Sequence, residues 1–211
     1  MLISDHHRFV FVHVPKTGGD SIDKMLREHV ADVRKQKMTR HAPYGDILAI
    51  EPDLAGYWSF AMVRNPWARM VSWWSMIDKW NHAWGPASGK PQVKRGGMKD
   101  GNKMWRRVAE FSDFEEFILR GTAEIPRLAM PQINYLVAPE RRVDFIGRTE
   151  SLSADVARAQ REIGLPDVPL PHRNKSLSTG HWRDYYSSAT RARIADLYAP
   201  DCAEWGYTFD S

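Results

Sequence analysis

The run Pro15-Lys16-Thr17-Gly18-Gly19 separates the β-forming stretch Phe11-Val12-His13-Val14 from a segment opening Asp20-Ser21-Ile22 with helical spacing. Where a strand turns into a helix, unpaired backbone N–H groups and the helix dipole point at one spot, and that spot binds anions. Gly18 and Gly19 let the backbone come close to a ligand and take positive φ. Lys16 adds a full charge, and Thr17 and Ser21 add hydroxyl donors. The same residues also fit a tight turn with a solvated lysine. A usual nucleotide-hydrolase loop, G-x-x-x-x-G-K-[ST], places its lysine after the glycines. Here Asp20 follows Gly19. A carboxylate there repels a terminal phosphate, although it suits a helix N-cap. No aspartate stands at a strand end to hold Mg²⁺, so ATP with Mg²⁺ is disfavoured.

A second constellation lies in Phe60-Ala-Met-Val-Arg64-Asn65-Pro66-Trp-Ala-Arg69-Met-Val-Ser72. Arg64 stands where a strand ends, and Asn65-Pro66 turns the chain. Arg69 and Ser72 are three residues apart on the helix that follows, so they share a face. Arginine suits a second phosphate because its planar fork makes two hydrogen bonds to phosphate oxygens. A helix-start turn with a surface arginine and an exposed serine is the alternative.

These residues need strands and helices to hold them. Arg8 to Val14 is apolar almost throughout and suits a strand buried on both faces. Residues 20–30 read as a helix, 44–54 as a short helix and 58–63 as a second strand. Pro66 opens a helix at its first position, where the missing N–H costs nothing. Residues 113–120 read as a helix stopped by Gly121, 143–147 as a strand, 151–163 as a helix ended by Gly164, and 190–198 as a last helix. Strand and helix alternate as in a layered α/β domain with a parallel sheet.

The 211 residues suit one domain, here read as 1–211 with a basic insertion at about 81–107. From Lys90 to Arg107 that insertion carries seven cations against Asp100 alone. It reads as a mobile acceptor lid favouring an anionic or sugar-like substrate, or as a solvated loop. Trp73, Trp80, Trp84 and Trp105 could stack on rings there. A net charge of +4 is too weak to establish nucleic-acid binding, and no motif for it is present. Cys202 is the only cysteine, so no internal disulfide forms. The start MLISDHHR lacks the apolar core of a signal peptide, and no run is long enough to span a bilayer. The expectation is a cytoplasmic protein without stable membrane insertion. The eight histidines show no convincing metal-ligand spacing.

PKTGG after one strand and R-N-P-x-x-R-x-x-S after a later one resemble the sulfotransferase superfamily, and most closely its carbohydrate-type branch with small bacterial members. RHAPYGDI, VDFIGRTESL, LPHRNKS and LYAPDCAEWGYTF resemble further blocks of that branch in order, from about Phe9 to Phe209. The resemblance implies a P-loop-like three-layer α/β fold, with a central mainly parallel sheet flanked by helices. It implies sulfuryl transfer from 3′-phosphoadenosine 5′-phosphosulfate (PAPS) to a hydroxyl of a small-molecule or carbohydrate acceptor, with no metal required.

By the same resemblance Lys16, Thr17, Gly18, Gly19, Asp20 and Ser21 would surround the 5′-phosphosulfate, with Lys16 at the bridging oxygen. Arg64 and Ser72 would hold the 3′-phosphate, Thr149 would meet the adenine, and Lys175 would close over the cofactor. Asp20 departs from the pattern, since many relatives carry threonine or serine there. His41 is the candidate base, with His172 as an alternative, because histidine titrates near neutral pH and can take an alcohol's proton. His13 reads as structural. Competing readings are a nucleotide kinase or NTPase with a degenerate loop, and a non-catalytic nucleotide-binding protein.

Overall fold

The computed structural model describes residues 1–84, 107–108, 110–171 and 181–211. In chain order the elements are β1 (Leu2–Ser4), β2 (Phe9–Val12), α1 (Gly19–His29), α2 (Tyr44–Ile50), β3 (Trp58–Val63) and α3 (Pro66–Trp84). They continue with α4 (Phe114–Glu116), α5 (Thr122–Glu124), α6 (Pro126–Ala129), β4 (Val137–Ala138), β5 (Arg141–Arg142) and β6 (Phe145–Arg148). The last are α7 (Leu152–Glu162), α8 (Ser188–Leu197) and α9 (Ala199–Trp205). The chain divides into two compact units, Met1–Asn65 with Pro131–Lys175, and Pro66–Met130 with Ser176–Ser211.

The first unit is a mixed α/β layer built on a sheet of order β1-β2-β3-β6. β2, β3 and β6 are parallel, with Val12 opposite Ala61 and Val63 opposite Arg148. β2 is buried at every residue, as its unbroken apolar run requires of a central parallel strand. Alternate residues Phe9, Phe11, Phe60 and Met62 face a common core with Ile22, Met25 and Leu26 of α1 and Val156 and Ala159 of α7. β1 adds an antiparallel edge, with Ser4 opposite Phe9. The chain returns through a turn in which Arg8 takes a φ of 50°, and the Arg8 guanidinium lies over the Tyr57 ring at 4.7 Å. Three residues are too few to show a period, so this strand is not legible in the sequence.

The second unit is helical and packs its aromatic residues around Arg69. This arginine is fully buried, below the faces of Trp73 (5.2 Å) and Tyr198 (5.7 Å). Its Nη1 donates to Tyr198 Oη at 3.3 Å, and that hydroxyl donates to the Leu128 carbonyl at 2.6 Å. Arg69 therefore belongs to the core of this unit.

Gly121 does not stop a helix. It has helical φ at the end of a wider π-type turn, Phe117–Gly121, and α5 continues from it. A side chain there would meet Phe111 at 3.0 Å, so the glycine answers to packing. The helical path ends at Ile125, ahead of Pro126, which disfavours helical backbone in the residue before it.

Among the described residues no helix is long and apolar enough to cross a membrane. Tyr198→Phe removes a buried hydroxyl that both donates and accepts. Urea unfolding should show a loss of about 1–3 kcal/mol. A change within error would mean that the Arg69–Tyr198–Leu128 contacts do not hold the second unit.

Candidate functional site

Parallel strands end together, and in open α/β sheets ligands bind beyond those carboxyl ends. In the first unit that edge carries the segment 13–21 after β2, Arg64 and Asn65 after β3, and Thr149 and Glu150 after β6.

The loop after β2 is tightly built. Lys16 takes a φ of 70°, a region costly for a side chain. Gly18, at φ 81°, is the N-cap of α1, and its carbonyl accepts the Ser21 N–H at 3.1 Å. Thr17 is buried, and its hydroxyl donates to the Val14 carbonyl at 3.0 Å. It therefore closes the loop, and the hydroxyl hydrogen expected to meet a ligand is committed inside it. A Cβ on Gly19 would sit 2.2 Å from Nε2 of His13, so only glycine fits. Ser21 is buried at the start of α1. Burial lowers the Lys16 pKa to about 8; the Asp20 charge raises it and the Arg64 charge lowers it further.

Asp20 is the second residue of α1, not its cap. Its Oδ1 accepts from Arg40 Nη2 at 2.6 Å. The same Arg40 nitrogen lies 3.1 Å from Nδ1 of His13. Arginine can only donate, so Nδ1 accepts and the His13 proton sits on Nε2. Burial first, then the charges of His41 and Arg40, hold His13 well below the usual histidine range. Its ring stacks on Phe11 at 5.6 Å and meets the His41 ring edge-on at 4.6 Å.

His41 is half-buried, and its Nδ1 lies 2.9 Å from the His13 carbonyl. A carbonyl can only accept, so Nδ1 carries a proton. The His41 N–H donates to Thr39 Oγ1 at 3.1 Å. The structure thus brings His41 beside His13, with Nδ1 turned to the backbone.

Arg64 is held from behind. Gln132, fully buried, accepts the Arg64 N–H at 3.0 Å and donates to the Arg64 carbonyl at 2.8 Å. Glu150 accepts the Asn65 N–H at 2.8 Å. Thr149 donates its hydroxyl to the Val63 carbonyl at 3.0 Å, which ties β6 to β3 and leaves only oxygen lone pairs for a ligand. Gln132 carries no sequence signal, because its partners are backbone groups 68 residues away, whereas Glu150 had one as the neighbour of Thr149 in VDFIGRTESL. Arg40 had one, as the neighbour of His41 in RHAPYGDI.

Ser72 is half-buried on α3 in the second unit. Trp73 is buried in that unit's core and offers no ring face to a sugar. Arg107 pairs with Glu110 and Glu124. The rest of the basic run from Lys90, together with His172 and Lys175, lies outside the described residues. Among those described, no group of three or more His, Cys, Asp or Glu side chains is placed to hold a metal ion.

A strained lysine ahead of a glycine pair, an arginine at the next strand end and a histidine whose Nδ1 faces a backbone carbonyl make a particular set. A model of the sulfotransferase family matches residues 1–208. The chain belongs to the sulfotransferase family. It is 27% identical over 188 residues to carbohydrate sulfotransferase 14 of Danio rerio, covering 82% of this chain and 51% of that protein. It is 28% identical over 112 residues to an uncharacterized protein of Archaeoglobus fulgidus, covering 53% of this chain and 72% of the relative. The chain thus spans about half the length of the zebrafish sulfotransferase.

The lowered pKa of Lys16 makes its charge pH-dependent. A bound polyanion favours the ammonium form, so affinity should fall as pH rises through about 8. The slope should approach tenfold per unit. Titration with pyrophosphate across pH 6.5–9.5 checks this, and Lys16→Met should flatten the profile. An equal slope in the variant would assign the dependence to another group.

Proposed function

We propose that this chain transfers a sulfuryl group from PAPS to a hydroxyl of an acceptor, and that the acceptor is a carbohydrate. The observation that carries the reading is the placement of two cations at one sheet edge, Lys16 in the loop after β2 and Arg64 directly after the neighbouring parallel strand β3. Like charges so placed are stabilised by a polyanion between or beside them. Family membership supports reading that polyanion as a phosphosulfate nucleotide. The zebrafish relative is named a carbohydrate sulfotransferase, which supports a sugar hydroxyl as acceptor.

In this reading the first N–H groups of α1 and the loop at Gly18 and Gly19 receive the 5′-phosphosulfate. Lys16 stabilises the negative charge that grows on the bridging oxygen as its bond to sulfur breaks. His41 Nε2 accepts the proton of the acceptor hydroxyl as that oxygen bonds to sulfur. The products are a sulfate ester and adenosine 3′,5′-bisphosphate. Arg64 binds the 3′-phosphate, and its backbone clamp by Gln132 fixes where the guanidinium starts. The parts assigned to Ser72 and Lys175 rest on their motifs. Thr149 lines the adenine side with its hydroxyl oxygen. The single cysteine fits a reducing compartment such as the cytoplasm.

Calorimetry in EDTA should show adenosine 3′,5′-bisphosphate binding tightly and adenosine 5′-phosphate binding at least tenfold more weakly. Arg64→Ala should erase that difference. Tight binding of ATP–Mg²⁺ with none of the bisphosphate would replace this reading with a nucleotide kinase or hydrolase.

A further inference from the structure

Asp20 is unexpected in an anion-binding loop, and its contacts give it a different task. Its carboxylate takes a 2.6 Å bond from Arg40, which is also 3.9 Å from Asp23. Both side chains of the pair are more than two-fifths exposed, so the ion pair contributes little to stability. Its position matters more. Arg40 precedes His41 in the chain, and the nitrogen that meets Asp20 also donates to His13 Nδ1. The His13 carbonyl in turn accepts from His41 Nδ1. A continuous line of polar contacts therefore runs from the first turn of α1 to the candidate base.

We propose that Asp20 is a positioning residue: through Arg40 it ties the phosphate loop to His13, whose carbonyl holds Nδ1 of His41, and so fixes the orientation of the candidate base. It is not a ligand of the nucleotide. This rests on the sulfuryl-transfer reading, in which His41 is the base.

The charges around the line set its sign. His13 faces Arg40, His41 and Lys35, and Lys16 faces Asp20 and Arg64. Asp20 is the anion that raises the Lys16 pKa, while Lys35, Arg40 and Arg64 add only positive charge. Without its carboxylate Arg40 keeps only the longer 3.9 Å carboxylate contact, to Asp23. Asp20 also opposes an incoming anion. Asp20→Asn therefore separates two effects that a cofactor ligand would combine: nucleotide affinity holds or rises, while turnover falls.

The test compares wild type, Asp20→Asn and Asp20→Glu in three measurements. In calorimetry at a pH well below the Lys16 pKa of about 8, so that Lys16 stays charged in both proteins, adenosine 3′,5′-bisphosphate should bind Asp20→Asn as tightly as wild type or more tightly. In transfer assays kcat should fall at least tenfold for Asp20→Asn and recover for Asp20→Glu. The alkaline limb of its pH profile should move to lower pH as Lys16 loses the Asp20 charge. In ¹⁵N spectra of the imidazoles, wild-type His41 should show the Nδ1–H form and wild-type His13 the Nε2–H form, with His41 altered in Asp20→Asn. Weaker nucleotide binding by Asp20→Asn would overturn the proposal and make Asp20 a cofactor contact. Unchanged His41 signals in that variant would overturn it too. Absence of transfer by wild type would sink the functional reading instead, and the imidazole spectra would still decide whether Asp20 holds His41.

Discussion

The imidazole of His13 lies so close to Gly19 that a methyl group on that glycine would sit 2.2 Å from Nε2. This contact fixes how the phosphate loop leaves β2. It presses the first residue of α1 against a side chain only one residue past the strand. Burial, with the charges of His41 and Arg40, holds that ring's pKa well below the usual histidine range. Its two ends then do separate work: Nδ1 takes Arg40, and the backbone carbonyl takes His41. One buried histidine thus sets the spacing of the anion loop and the orientation of the proposed base.

The rest of the edge is held by buried polar groups that spend themselves on backbone. Gln132 occupies both the N–H and the carbonyl of Arg64, Thr149 takes the carbonyl of Val63, and Thr17 that of Val14. Each bond satisfies a group that a strand end would otherwise leave without its ladder partner. The result is a cationic edge with Lys16 after β2 and Arg64 after the neighbouring strand β3. Preorganisation of this kind lets charge be stabilised as it develops, without reorientation of the surrounding dipoles.

The elements that hold this edge were legible where local pattern decides them. β3 spans Trp58–Val63 and α3 begins at Pro66, as apolar runs and proline chemistry require. The loop itself was readable because glycines, a lysine and a following helix are contiguous. The partners of these residues were not readable. Asp20 finds Arg40 20 residues away, and Arg64 finds Gln132 68 residues away, with no spacing rule linking either pair. Thr17 was misread in part, since a threonine in a loop looks the same whether its hydroxyl faces a ligand or closes the turn. Trp73 could have served a sugar-stacking surface or the core, and helical phase sends it into an aromatic core. Arg69 shares its motif with Ser72 but is fully buried, stacked on Trp73 and Tyr198.

The most direct test of the account is transfer of label from ³⁵S-PAPS to a panel of carbohydrate hydroxyls, run with wild type and His41→Ala. The account predicts labelled sulfate ester on at least one sugar acceptor with wild type. With His41→Ala it predicts a fall of about 10²–10⁴-fold, the range expected for loss of a general base. No labelled ester on any acceptor, or equal rates in the two proteins, would contradict it.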